Sequence, residues 1–181
     1  MIIRMMCAGF GGQGALLIGK MVAEAGMREG KYVTWLPSYG PEMRGGTANV
    51  MTVISDKPVG SPIFTQIDVL VALNQPSLDK YSSDMVKDGI ILANSSLCTQ
   101  MPQPEGVRVV PVPLTRVAEE MGNNKVMNMA ALGALIALTH CVSTQTVENY
   151  MSKMLKEKNP GLFSQNMEAL HKGVALVEKQ S

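Results

Sequence analysis

The stretch at residues 7–14, CAGFGGQG, stands between an apolar run and a segment of helical periodicity, and its reading settles the architecture of the chain. Residues 2–8 are a short apolar run of the kind that makes a buried strand. Residues 15–28 place Lys20, Glu24, Met27 and Arg28 on one stripe and Leu16, Leu17, Ile18, Val22 and Ala23 over the rest, which predicts a mostly buried helix. KYVTWL at residues 31–36, entered after Gly30 and stopped by Pro37, predicts a second strand. Strand, glycine turn, helix, strand is the order of a βαβ unit, so an α/β fold with a Rossmann-like start and a mainly parallel sheet is expected.

Outward from that unit the chain alternates and then turns helical. TANVMTVIS at residues 47–55 is apolar on both alternating faces, as a central strand would be, and further strands are predicted at 68–74, 90–94 and 107–112, with a short helix at 77–87. The total of about six strands is an ordinary sheet. After Pro113 the pattern is helical over 114–121, 128–140, from Ser143 or Thr144 to 156, and 160–178, so the C-terminal third is helical. Asn159-Pro160 is an N-cap and first-turn pair, and Phe163, Met167, Leu170, Val174 and Val177 share one face of the last helix. There is no internal repeat, low-complexity segment or long linker, and MPQPEG at residues 101–106 reads as a surface loop. One domain over residues 1–181 is expected.

Composition excludes several classes of function. Charged residues are 17% of the chain against a usual value of about 25%. That deficit fits a surface covered by a partner, and it equally fits a well-buried core. The net charge is +1 with no aromatic-interleaved basic run, which argues against a nucleic-acid surface. Cys7, Cys98 and Cys141 are far apart and form no C-x-x-C, so neither a disulfide framework nor a Zn or Fe–S site is expected; a reducing cytoplasm fits. The longest apolar run, residues 129–138, is too short to span a bilayer, and the opening residues lack the length of a signal-peptide core, so no membrane association is expected. His140 and His171 have no partner pattern and read as helix-end or surface residues, and Cys7 reads as a small buried apolar residue.

Gly9, Gly11 and Gly14 satisfy G-x-G-x-x-G, the dinucleotide fingerprint. The fingerprint also needs an acidic residue at the end of the second strand to hold the ribose, or an Arg there for a 2′-phosphate, and residues 31–41 contain no Asp, Glu or Arg. NAD and FAD are therefore disfavoured, and G-x-x-x-x-G-K-[ST] is absent. What remains is the backbone: Gly9, Gly11, Gly12 and Gly14 permit positive φ and close approach ahead of a helix N-terminus, which makes either an anion site or a tight strand-to-helix turn. A second loop, SYGPEMRGGTAN at residues 38–49, bends at Gly40-Pro41, sets Glu42 and Arg44 two residues apart and leaves a small backbone patch at Gly45-Gly46. Arg44 there can fork onto a carboxylate or phosphate, or pair with Glu42.

GFGGQG and YGPEMRGG, followed by ISDKPVGSP at 54–62, DVLVALN with SLDKY behind it, and NKVMNMAALGAL at 124–135, together resemble the gamma subunit of the 2-oxoacid:ferredoxin oxidoreductases, a unit that is a fused domain in one-chain pyruvate:ferredoxin oxidoreductases. The resemblance runs over nearly the whole chain in order, with departures at flanking positions such as Phe10 and Ala48. It implies a three-layer α/β/α sandwich in a cytoplasmic hetero-oligomer that converts a 2-oxoacid (ketoacid) and coenzyme A to acyl-CoA, carbon dioxide and reduced ferredoxin. Thiamine diphosphate, Mg and the Fe–S clusters are then expected in alpha, beta or delta partner subunits, with none bound by this chain, and the isolated chain is expected to be inactive. The absence here of Cys cluster ligands and of a GDG metal-diphosphate motif agrees. Ligand or partner contact is expected at Gly9, Gly11, Gly12, Gln13, Gly14, Tyr39, Gly40, Pro41, Glu42, Arg44, Gly45 and Gly46. Asn128, opening an apolar helix, is read first as an N-cap and second as a contact residue. A free-standing nucleotide- or phosphate-binding module and a purely structural assembly subunit are the competing readings. Self-association of the isolated chain is a further expectation.

Overall fold

The computed structural model describes residues 1–40 and 46–179. Its elements are β1 (Ile2–Phe10), α1 (Ala15–Arg28), β2 (Tyr32–Tyr39), β3 (Thr47–Ser55), β4 (Ile67–Ala72), α2 (Gln75–Tyr81), β5 (Met85–Asn94), β6 (Arg108–Val112), α3 (Leu114–Glu120), α4 (Met127–Thr139), α5 (Thr144–Leu155) and α6 (Pro160–Glu178). The six strands form one sheet in the order β2-β3-β1-β4-β5-β6. β1, β4, β5 and β6 are parallel, and β3 runs against both β1 and β2. The sheet is thus mainly parallel and flanked by helices, as expected.

Its first half is wound differently from a simple βαβ unit. β1 and β2 do run the same way, but β3 lies between them, as the hydrogen-bonded centre of a hairpin with β2. The connection between Tyr39 and Thr47 is too short for a crossover, which needs a dozen or more residues, so the chain can only return antiparallel. Nor does Pro37 end β2. It stands opposite Val50 on the outermost strand, where a missing N–H leaves the ladder intact. β5 starts at Met85, inside the span read as helix, after a 3₁₀ turn at Ser82–Asp84. Asp88 takes a left-handed φ of 64° there, and the register against β4 shifts between Ile67 and Val69.

The helices divide unequally. α1, α3, α4, α5 and α6 bury one face of the sheet around Ile18, Val22, Val71, Leu132, Leu135 and Leu170. α4 is apolar all round because α1, α3 and α6 pack on it. At the α4–α6 crossing the backbones themselves meet: a Cβ on Gly133 would run into the Leu170 carbonyl, and one on Gly173 into the Ala130 carbonyl. On the other face, α2 and the segment around Phe64 cover a smaller core of Met6, Leu70, Leu78, Ile91 and Cys98. Arg4 ties β1 to β4 on that side with a forked pair to Asp68, both contacts 2.9 Å.

Candidate functional site

β1 and β2 run the same way, so the loops leaving them open at the same rim, where the carboxyl ends of the parallel strands lie and where open α/β sheets gather ligands. Two glycines of the first loop need left-handed backbone, Gly12 at φ 99° and Gly14 at φ 85°, and Gly14 is the N-cap of α1 with no side chain capping it. Gly9 has a different task. It is still in β1, and a Cβ there would stand 2.8 Å from Gln13 Oε1 and 3.1 Å from Leu73 Cβ, so its bareness makes room for the Gln13 amide. Gly11 N–H donates to the Gly46 carbonyl at 2.8 Å, which fastens the first loop to the end of the second. Gly40 N–H donates to the Thr47 carbonyl at 3.4 Å and closes the hairpin. Pro41, Glu42, Arg44 and Gly45 lie outside the described residues.

Beside the first loop is a cleft of about 470 Å³ whose walls include Phe10, Gly12, Leu17, Trp35, Tyr39 and Ala48. The described residues lining it carry no charge, and Tyr39 is 59% exposed. Asn128 comes to the same place from α4. It sits in the first turn, not at the N-cap, because α4 continues from a 3₁₀ turn at Asn124–Val126 that Asn123 caps. Its side chain lies against Gly14, where any Cβ would collide with it, and its Oδ1 is buried with no hydrogen-bond partner among the described residues. The structure therefore brings Gly9, Gly11, Gly12, Gln13, Gly14, Tyr39, Gly46 and Asn128 to one rim, with Gly40 at the foot of the hairpin.

Gln13 commits its amide to the chain itself. Its Oε1 accepts from Phe10 N–H at 2.6 Å and from Asn74 Nδ2 at 2.9 Å, and its Nε2 donates to the Leu73 carbonyl at 3.4 Å. Asn74 in turn caps α2 by accepting from Ser77 N–H at 2.9 Å. Asn94, fully buried at the end of β5, donates to the Leu73 carbonyl at 3.2 Å and to Thr115 Oγ1 at 2.9 Å, and accepts from Thr115 N–H at 3.3 Å. These amides close the rim over β4, β5 and β6, and sequence reading missed Asn74 and Asn94 as rim residues. The signal for Asn74 was present, since Asn ahead of Gln-Pro-Ser is an N-cap followed by a first-turn proline.

The histidines and cysteines stand apart from this rim, whereas Lys80 and Tyr81 of α2 share a small pocket with Gly9, Thr47 and Ala48. His140 is the left-handed C-cap of α4, and His171 is exposed on α6 at 2.7 Å from Glu148. Burial pushes the thiols of Cys7 and Cys141 up, and that of Cys98 up to about 11, so none offers a thiolate at neutral pH. Among the described residues no group of three His, Cys, Asp or Glu is placed to hold a metal ion. The rim can bind by backbone donors, aromatic surface and shape.

A Rossmann-like sheet with a glycine loop, a following β2 without an acid and, among the described residues, an uncharged aromatic cleft beside the loop defines an α/β binding or assembly unit. The chain belongs to the gamma subunit or domain family of the 2-oxoacid:ferredoxin oxidoreductases: the family model for pyruvate ferredoxin/flavodoxin oxidoreductase matches residues 4–176. It is 38% identical over 168 residues to the 2-oxoglutarate synthase subunit KorC of Methanocaldococcus jannaschii, covering 89% of this chain and 90% of KorC. It is 43% identical over 136 residues to the ketoisovalerate oxidoreductase subunit VorA of Methanothermobacter marburgensis; that match covers 75% of this chain and only 28% of VorA. Among solved structures it resembles the keto/oxoacid ferredoxin oxidoreductase gamma subunit of Geobacter sulfurreducens, with a TM-score of 0.82 at 32% identity over 98% of this chain and 99% of that one. It also resembles the 2-oxoglutarate:ferredoxin oxidoreductase of Magnetococcus marinus solved with 2-oxoglutarate, coenzyme A and succinyl-CoA, with a TM-score of 0.91 at 27% identity, covering 99% of this chain and 32% of that one.

Proposed function

We propose that this chain is the gamma subunit of a cytoplasmic, multi-subunit 2-oxoacid:ferredoxin oxidoreductase that converts a 2-oxoacid and coenzyme A to acyl-CoA, carbon dioxide and reduced ferredoxin. Alpha and beta subunits, with or without a delta subunit, hold thiamine diphosphate, Mg and the Fe–S clusters and pass electrons to ferredoxin. This chain packs on them and shapes the approach of coenzyme A. The observation that supports the reading is the Gly11–Gly46 hydrogen bond, which unites the two loops beside a cleft walled by Trp35 and Tyr39. Coenzyme A has an aromatic base, an apolar arm and phosphates. The cleft suits the first two, and Arg44 supplies the positive charge for an anionic group of the cosubstrate or a carboxylate of a neighbouring subunit.

The test is affinity purification of the tagged full chain from its native host, followed by turnover of what co-purifies. Thiamine- and Fe–S-bearing chains are expected with it, and Tyr39→Ala should raise the KM for coenzyme A by about three- to tenfold, the worth of one aromatic contact. Arg44→Ala should cost more, and Arg44→Lys should restore it only in part, because an ammonium cannot replace a planar fork. A chain that purifies alone and binds NAD, FAD or ATP saturably, or an assembled enzyme indifferent to these substitutions, overturns the proposal.

A further inference from the structure

β2 is an outer strand, and two observations fix which of its backbone groups look outward. Gly40 N–H donates to the Thr47 carbonyl, so in this antiparallel ladder Ser38, Leu36, Thr34 and Tyr32 are the residues that exchange hydrogen bonds with β3. Val33, Trp35, Pro37 and Tyr39 alternate with them, opposite Ile54, Thr52, Val50 and Ala48, and turn their backbone groups away from the sheet. Pro37, lacking an N–H, fits that set. None of the four makes a backbone hydrogen bond to a turn, loop or cap among the described residues.

Such an edge invites another strand unless charge or brevity blunts it. The opposite edge of the sheet is blunted: β6 has five residues, opens on Arg108 and contains Pro111. β2 has eight residues and no charge, and Tyr32, Trp35, Leu36 and Tyr39 are all exposed, on both faces of the strand.

We propose that two copies of this chain associate by antiparallel pairing of β2 with β2 about a two-fold axis at Leu36, joining two six-stranded sheets into one. The strand is self-complementary in that register. Val33 stands opposite Tyr39 of the second copy and exchanges both hydrogen bonds with it. Trp35 stands opposite Pro37 of the second copy and donates to its carbonyl. Each outward N–H of β2 thus finds an acceptor, and the one group left over is the Trp35 carbonyl, which faces the proline nitrogen; an under-used carbonyl is the less costly kind of orphan. Trp35 and Pro37 would stack across the axis on the α1 side, and the two Leu36 side chains would meet on the other. The absence of charge on β2 means that no like pair is brought together.

The test is sedimentation of the full chain over a range of concentrations, with fluorescence of Trp35, the single tryptophan, as a second readout. A concentration-dependent dimer is expected, with Trp35 emission shifting as it forms. Leu36→Lys places like charges directly opposite each other on the axis and should weaken the dimer at least tenfold. Leu36→Glu should do the same, and mixing the two variants should restore dimers. Circular dichroism confirms that both fold, and Val33→Pro, which removes an outward donor without touching the β3 ladder, should also dissociate them. A wild-type chain that is monomeric throughout, a dimer indifferent to all three substitutions, or edge amides that become protected from hydrogen exchange only when a different protein is added, each overturns self-pairing. The measurement uses this chain alone, so its failure leaves the proposed role in the larger enzyme untouched.

Discussion

On one face of the sheet α4 and α6 cross so closely that glycines replace side chains at the contact, while on the other a seven-residue helix and an irregular segment cover a core of nine buried residues. The first face is finished by the chain itself: Leu132, Leu135 and Leu170 are fully buried with no help from a neighbour. The second is thinner, with Ile63 65% and Ile2 58% exposed along its lower margin. Folding therefore rests on the helical face, and contact surface is left at the rim, along β2 and over the thin face. This division explains how a chain with few charged residues can be well packed and still present apolar surface.

The sharpest way to break the comparison is at the α4–α6 crossing. Gly133→Ala puts a methyl into the Leu170 carbonyl, backbone against backbone, so the helices must separate. The expected cost is about 4 kcal/mol or more by urea unfolding, in the range reserved for core disruption. Leu78→Ala on the thin face removes the one fully buried leucine of α2 and should cost about 3 kcal/mol. Should Leu78→Ala prove the more damaging, the assignment of stability to the helical face is wrong.

What the sequence made legible, and what it did not, divides along similar lines. α1 and α6 begin and end where periodicity and caps place them, because a buried stripe and an Asn-Pro start are local signals. The hairpin between β2 and β3 was local too, in the shortness of the connection between Tyr39 and Thr47, but strand order is a matter of which distant segments pair, and β3 entered between β1 and β2 without a sequence mark. Pro37 misled because a proline stops a central strand and is harmless on an outer one. At the rim the glycine loop was plain as a motif, whereas the work of Gln13 depends on Leu73 and Asn74, some sixty residues on. Asn128 reached the rim by the placing of α4, which its own neighbours in sequence do not encode.

The amide bridge at the rim is the next test in size, and it asks whether the closed half of the rim supports the open half. Asn94→Ala strips Thr115 N–H of its partner, leaves the Leu73 carbonyl with the Gln13 amide alone, and should cost about 1–3 kcal/mol. Gln13→Ala, on the more exposed side, should cost less in stability and loosen the glycine loop, seen as faster exchange of the Phe10 amide that it holds. Equal protection of that amide in the variant would show that Gly11 and Gly46 suffice to hold the loop.

The smallest effect lies where α1 is fastened to the start of α5, and it can be read from pH. Burial alone would raise the Glu29 carboxyl, but hydrogen bonds from Lys31, the Ser143 amide and Thr146 outweigh it and hold the group below the usual carboxylate range. Lys31 Nζ stands 2.9 Å from Glu29 Oε2 and 2.6 Å from the Cys141 carbonyl, and Ser143 N–H donates to Glu29 Oε1 at 2.7 Å. A carboxylate with a depressed folded pKa contributes stability that is fully present above its unfolded value, about 4.3, and is lost as pH falls through the folded value. The wild-type chain should therefore lose stability more steeply than Glu29→Gln as the pH drops below about 4.3, and the two curves should run parallel at neutral pH. Identical acid limbs would mean that the contact between α1 and α5 owes nothing to the charge of Glu29 and is held by Val147 and Met151 packing alone.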